Sequence, residues 1–413
     1  MKKIDLLLSL ILVVFAPLFS FSDTANHGKT SARNYLVYVG TYTNEQSKGI
    51  YAYRLNAATG RFVPLGLAVE TSNPSFLAVH PNHKIVYAVN ETGNFQNQSS
   101  GAVSAFAIDS RTGKLTLLNQ VASRGADPCY VAVDKTGKYV LVANYGGGSV
   151  AVFPVIKGGK LGEAISVLQY KGAGANPERQ ESPHAHWIDF SPDNRFVVAA
   201  DLGLDQLDVY KFSASKGSLV PNQPAVIQLK PGAGVRHFAF HPDARFAYAV
   251  SEMQSSVTSF SYDPTRGTLR ELQTISMLPK DFSGKNDAAE IQIHPSGKFL
   301  YASNRGHDSI AVFSVDPAKG TLTPVEYVPT QGKAPRYFAV DPTGSRLFVA
   351  NQNSGTIVIF QIDPIIGRLT STGQVLQIAS PVCLRFVPVR RTATRRPCFT
   401  ELTLSKKRYS RCF

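Results

Sequence analysis

The chain has 413 residues, a net charge of +14 from 43 Lys and Arg against 29 Asp and Glu, and a hydrophobic share of 43%. That apolar share excludes a disordered chain, and four Cys in such a length exclude a disulfide-stapled scaffold. Half of the net charge sits beyond residue 387, so the basic balance says little about the rest of the chain.

Residues 1–22 begin with Lys2 and Lys3, continue through the apolar run Leu6 to Phe15 and end in the small residues Ser20 and Ser22. This is the pattern of a secretory signal peptide and predicts an exported protein, periplasmic or secreted. No other stretch approaches the roughly 20 apolar residues of a membrane span, so no stable membrane anchor is expected. Residues 23–33 are polar and small and read as a flexible leader.

From Tyr35 onward the chain is β in character. Tyr35 to Thr41 reads as one strand and Gly49 to Leu55 as the next. A hairpin phrase then recurs six times, as Pro74 to Asn90, Pro128 to Asn144, Pro183 to Asp201, Val235 to Glu252, Asp287 to Asn304 and Pro335 to Asn351. A second phrase, a strand ending in a turn of the D-x-x-x-G-x-L type, occurs seven times, from Gly49 to the strand Ile357–Ile362. The missing seventh hairpin is split between the ends of the chain: Pro381 to Val387 looks like an inner strand, and Tyr35 to Thr41 like the strand that follows it. The repeat length of about 50 residues is that of a four-stranded propeller blade. Joining the two ends inside one blade closes the ring and removes exposed edges. The expectation is an all-β, seven-bladed β-propeller over residues 34–387, monomeric and closed by the shared blade.

Residues 388–413 carry eight Lys and Arg against Glu401 alone, without periodicity, and are expected to form a disordered basic tail. Because the charge is terminal and lacks interleaved aromatics, no nucleic-acid partner is inferred. Cys398 and Cys412 fall in this tail. Cys129 and Cys383 fall on inner strands, where buried free thiols are expected.

Within a repeat, positions at which one blade departs from its siblings are visible in a single sequence. The residue opening the inner strand is Ser75, Cys129, His186, Arg236, Ala289 and Arg336 in the six hairpins. The residue just after the second strand is Thr41, Glu91, Tyr145, Leu202, Glu252, Arg305 and Gln352. Both positions fall on the same face of the ring, around the mouth of the central channel. Charged and titratable groups therefore converge there: His186, Arg236, Arg336, Glu91, Glu252 and Arg305. His184 lies two residues before His186 on the same strand side, and Glu290 follows Ala289. One charged residue at a strand end is ordinarily just solvated; it is the clustering that marks a site.

Other residues read as structural. His80, His241 and His294 recur at one turn position and shape the hairpin. Gly146, Gly147 and Gly148 lack the Lys-Ser/Thr and helix of a phosphate loop. His184 and His186 have no third ligand at a spacing that completes a metal site, so neither metal nor cofactor is expected. Trp187, the single Trp, points away from them and packs between blades.

The segments Glu181-Ser-Pro-His-Ala-His186, Ala233-Gly-Val-Arg-His237, Asn286-Asp-Ala-Ala-Glu290 and Ser303-Asn-Arg-Gly-His-Asp308 resemble those of the lactonase family of seven-bladed propellers. That family includes the bacterial propeller-type 6-phosphogluconolactonases and is related to the fungal 3-carboxymuconate lactonizing enzyme. The resemblance spans the whole ring and implies a metal-independent site of one His, two Arg and a Glu, carried by His184 or His186, Arg236, Arg305 and Glu252. It implies hydrolysis of a small anionic lactone; Glu91, Tyr145, Glu290 and Arg336, taken from the rim positions of the repeats, are expected as further substrate contacts. In that scheme a His acts as general base, Arg236 and Arg305 stabilise the oxyanion, and Glu252 orients the base or a water. The alternatives are cycloisomerisation of an unsaturated diacid and a non-catalytic binding propeller.

Overall fold

The computed structural model describes residues 34–389; the leader, the signal-peptide pattern and the basic tail from residue 390 lie outside the described residues. The described chain forms seven four-stranded antiparallel sheets, the blades of a propeller. The innermost strands, which wall the channel, are Leu77–Val79, Pro128–Val133, Ala185–Phe190, Val235–Phe240, Asp287–Ile293, Pro335–Val340 and Pro381–Val389. Among the described residues no helix is long and apolar enough to cross a membrane.

Burial follows from the stacking of blades. The second strands Ile85–Asn90 and Phe196–Asp201 are buried at every residue, because neighbouring blades cover both faces of the sheet. The outermost strand Phe62–Glu70 instead alternates inward and outward residues, since one of its faces meets water.

The shared blade closes as the repeats require. Pro381–Val389 pairs with Asn34–Thr41, which pairs with Gly49–Asn56 and then Phe62–Glu70. The closing strand runs to Val389, two residues beyond the expected boundary at Val387, because its partner begins at Asn34 and supplies ladder positions for Pro388 and Val389.

The recurring turn histidines latch one blade to the next. His80 Nε2 donates to the carbonyl of Gly137 (3.1 Å), His241 Nε2 to Gly297 (2.8 Å) and His294 Nε2 to Gly344 (2.8 Å). Each acceptor is a glycine with φ of 72 to 74°, where a Cβ would be strained and would strike the imidazole. Tyr87, Tyr248 and Tyr301 form a second set of latches, donating to Gly159, Gly320 and Gly367. Trp187 packs between Tyr130 and Phe238 of the two adjoining blades, at 5.6 and 5.4 Å between rings. Cys129 and Cys383 are buried free thiols.

Candidate active site

The side chains that reach the channel mouth are set there by a repeated backbone irregularity. In six blades the ladder between first and second strand slips near the start of the first strand, bypassing Cys129, His186, Arg236, Ala289 with Glu290, Arg336 and Val382. A β-bulge leaves the extra residue outside the ladder and re-aims its side chain. Cys129, His186, Arg236, Arg336 and Val382, with Ser75 from the seventh blade, line a small cavity. Glu91 enters it from the end of a second strand, and Phe76, His237 and Tyr337 form its floor.

Glu252 organises the arginines. Its Oε2 lies 2.7 Å from Arg305 Nη2 and 2.9 Å from Arg236 Nε, the latter an ion pair off the line of a hydrogen bond. Its Oε1 accepts from Arg179 Nη2 at 2.5 Å, and Arg179 also approaches Asp287 at 3.6 Å. Burial alone would raise the Glu252 carboxyl, but Arg305, Arg236 and Arg179 outweigh it and hold it at about 2. Glu252 is therefore a permanent carboxylate that fixes three guanidiniums. Among the described residues it makes no hydrogen bond to either histidine. Burial, with Arg336 and Arg305 nearby, lowers Arg236 to about 10, which leaves it charged at neutral pH.

The two candidate histidines differ in what their nitrogens face. His184 stacks on Tyr145 (ring centroids 4.4 Å apart), with Nδ1 at 3.1 Å from the Tyr145 carbonyl and Nε2 at 3.3 Å from Glu181 Oε1. Both nitrogens thus meet acceptors. His186 lies in the cavity with the edge of Tyr145 at 5.5 Å, and among the described residues only its Nδ1 has a side-chain hydrogen-bond partner, the Cys129 thiol at 3.7 Å. Burial, reinforced by Arg236, Arg336 and Arg305, pushes His186 well below its ordinary 6.5, so the ring is neutral.

Arg336 donates to the Tyr42 hydroxyl (2.9 Å), which donates to Glu91 Oε1 (2.8 Å). Among the described residues two buried oxygens bordering the cavity have no partner, Ser75 Oγ and Glu91 Oε2. Tyr42 and Arg179 escaped the sequence reading. Thr41, the aligned residue of the shared blade, is buried and bonds Ser47 and the Gly49 carbonyl, because the slip between Gly40 and Thr41 moves the rim position to Tyr42. Arg179 stands on the loop before Ala185 and has no counterpart in other blades; the one signal for it was that this loop departs from the repeat.

Glu290 requires a correction. Expected at the substrate mouth, it is placed below the floor, where Oε2 accepts from His237 Nδ1 at 3.0 Å. The bulge in its blade takes in both Ala289 and Glu290: the Ala289 carbonyl faces up to accept from Arg236 Nη1 (2.7 Å), and the carboxyl turns down. Leu202 and Gln352 do not reach the cavity. Among the described residues no group of three or more His, Cys, Asp or Glu is arranged to hold a metal ion.

The profile described as "Lactonase, 7-bladed beta-propeller" matches residues 36–386. The 6-phosphogluconolactonase of Bacillus subtilis is 40% identical over 307 residues, covering 74% of this chain and 85% of that protein. The 6-phosphogluconolactonase of Formosa agariphila is 36% identical over 312 residues, covering 74% and 86%. Among solved structures, a periplasmic gluconolactonase of Pseudomonas aeruginosa superposes with a TM-score of 0.81 at 37% identity, covering 86% of this chain and all of that one. With its seven blades and its charged channel mouth, the chain belongs to the lactonase family of seven-bladed β-propellers.

Proposed function

We propose that this protein hydrolyses a sugar-acid lactone, of the gluconolactone or 6-phosphogluconolactone kind, without a metal ion and with His186 as general base. The observation that carries the reading is a neutral imidazole in a cavity shared with two guanidiniums and two unpartnered oxygens. Ring hydroxyls of a sugar lactone fit Glu91 Oε2 and Ser75 Oγ, which leaves the carbonyl for Arg236 and Arg336.

In the first step His186 Nε2 removes a proton from water as its oxygen bonds to the lactone carbonyl carbon. The carbonyl π pair moves to oxygen, and the oxyanion is met by fixed guanidiniums, which stabilise it more than the neutral ground state. An imidazolium beside arginines is unfavourable alone, but it forms together with the oxyanion, so the two new charges offset each other. In the second step the oxyanion collapses, the ring C–O bond breaks, and the leaving alkoxide takes the proton back from His186. Glu252 acts as a positioning residue by holding Arg236, Arg305 and Arg179 in place.

The signal-peptide pattern of residues 1–22 and the periplasmic gluconolactonase neighbour support an exported location. A panel of aldonolactones, their 6-phosphates and muconates, assayed with and without chelator, tests the proposal. Ring opening unaffected by chelator is the expected result. Ring closure of muconates, or binding without turnover, overturns it, and activity lost to chelator assigns His184 and His186 to a metal instead.

A further inference from the structure

The register of the ladders makes a second ring of equivalent positions visible, two residues down each innermost strand from the cavity floor. Ala78, Ala132, Ala239 and Ala339 occupy it in four blades, paired with Tyr87, Leu141, Tyr248 and Phe348. In the other three the position is Asp189, Gln292 and Arg385, paired with Val198, Tyr301 and Tyr38. An alanine keeps this end of the channel open, and three blades fill the space with polar groups.

These groups line a solvent-open cavity at the end of the channel opposite the candidate active site, with Glu290 at its base. Phe76 and Tyr337 border both cavities, and Phe76 lies against Tyr130 (4.1 Å), His237 (6.0 Å) and Tyr337 (5.7 Å), an aromatic partition between them. Gln292 is occupied: its amide donates to the Phe338 carbonyl (2.8 Å) and accepts from Val340 N (3.1 Å) of the next blade. Arg385 is not neutralised in this way. Its guanidinium lies over Phe76 (4.6 Å) and Tyr337 (5.4 Å), bonds the Tyr337 hydroxyl and the Leu384 carbonyl, and has no carboxylate within ion-pair distance among the described residues. Asp189, across the cavity, accepts from the amide of Phe190 and from no other group among the described residues.

The geometry points to a second ligand site at this opposite mouth, one that takes a small hydroxylated carboxylate, its carboxylate on Arg385 and its hydroxyls on Asp189 and Glu290. A guanidinium held over two aromatic rings presents its remaining N–H groups to a carboxylate with little ordering left to do. Trp187 and Phe240 give the cavity the apolar walls against which the C–H face of such a ligand packs. Burial raises Glu290 to about 8, so at neutral pH it carries a proton it can donate to a ligand oxygen.

This site does not depend on the lactonase proposal, and its test is a binding measurement. The protein carrying Arg236→Ala, which disables the first mouth, is titrated calorimetrically with gluconate, and with glucitol as the uncharged control. Saturable millimolar binding of gluconate, weakened about tenfold or more by adding Arg385→Ala, as expected for loss of a charge-assisted hydrogen bond, and severalfold by Asp189→Ala, supports the site. Both substitutions install the alanine that four other blades carry at this position, and a circular-dichroism melt checks that each variant folds. No saturable binding in the Arg236→Ala background, binding indifferent to both substitutions, or equal binding of glucitol overturns it.

Discussion

The two ends of the channel are walled by the same seven strands and yet are built differently. At the candidate active-site mouth the ladder slips in six blades, and the bypassed residues include His186, Arg236 and Arg336. At the opposite end the ladder is regular, the default residue is alanine, and polar groups appear only where a blade departs from that default. Chemistry that needs several convergent groups sits where the backbone releases side chains from the pleat, whereas the regular end holds isolated polar groups in open space. The turn histidines complete the contrast: His80, His241 and His294 are spent on latches, and His186 is not.

The largest expected effect separates the two mouth histidines. His186→Asn should lower kcat by about 10²- to 10⁴-fold, the range for loss of a general base, and His184→Asn by much less. Steady-state kinetics on both variants checks this, and equal losses would dissolve the distinction. Because His186 is held well below 6.5, kcat/KM should stay flat as pH falls through 6.5, where an ordinary histidine base would lose activity.

Next comes Glu252→Gln, which leaves buried arginines without their carboxylate and should destabilise the protein by about 3–5 kcal/mol as well as impair turnover. The sign of its pH dependence follows from the depressed carboxyl. Glu252 contributes stability that is complete above its ordinary 4.5 and is lost as pH falls towards about 2. Denaturant unfolding of wild type and variant over this range should converge at the acid end.

Glu290, on the other side of the partition, behaves oppositely. Its carboxyl is raised from 4.5 to about 8, so its contribution is complete below 4.5 and declines as pH rises through 8. Glu290→Gln keeps an acceptor for His237 and should flatten that decline, so that the variant gains on wild type at the alkaline end of a pH-resolved thermal melt. An unchanged profile would remove the contrast between the two carboxyls.

The smallest effect belongs to the latches. His241→Ala should cost about 1–3 kcal/mol by leaving the Gly297 carbonyl without its partner, with kcat unaltered. A loss of activity at constant stability would mean that the turn and the mouth are coupled.

Much of this was legible in one sequence because repetition supplies its own alignment. The hairpins show the blades, the unpaired second phrase shows that one blade is divided, and comparison across blades picks out His186, Arg236 and Arg336. What failed to show was local slippage. Tyr42 replaces Thr41 at the rim because the register shifts at Gly40, and a bulge that takes in two residues turns Glu290 to the far side of the partition. Arg179 was hidden for a different reason, as a loop residue outside the repeat has no sibling to be compared with.

The amino-acid order by itself determined the number of blades, the place of closure and the candidate residues, because alternation and turn chemistry act over a few residues and recur at a fixed spacing. Only the tertiary structure decided which carboxylate meets which arginine, which histidine keeps a free nitrogen, and on which side of the aromatic partition each group lies. Those outcomes depend on bulges of one residue and on partners contributed by other blades, and a shift of one position in a strand sends a side chain to the opposite face.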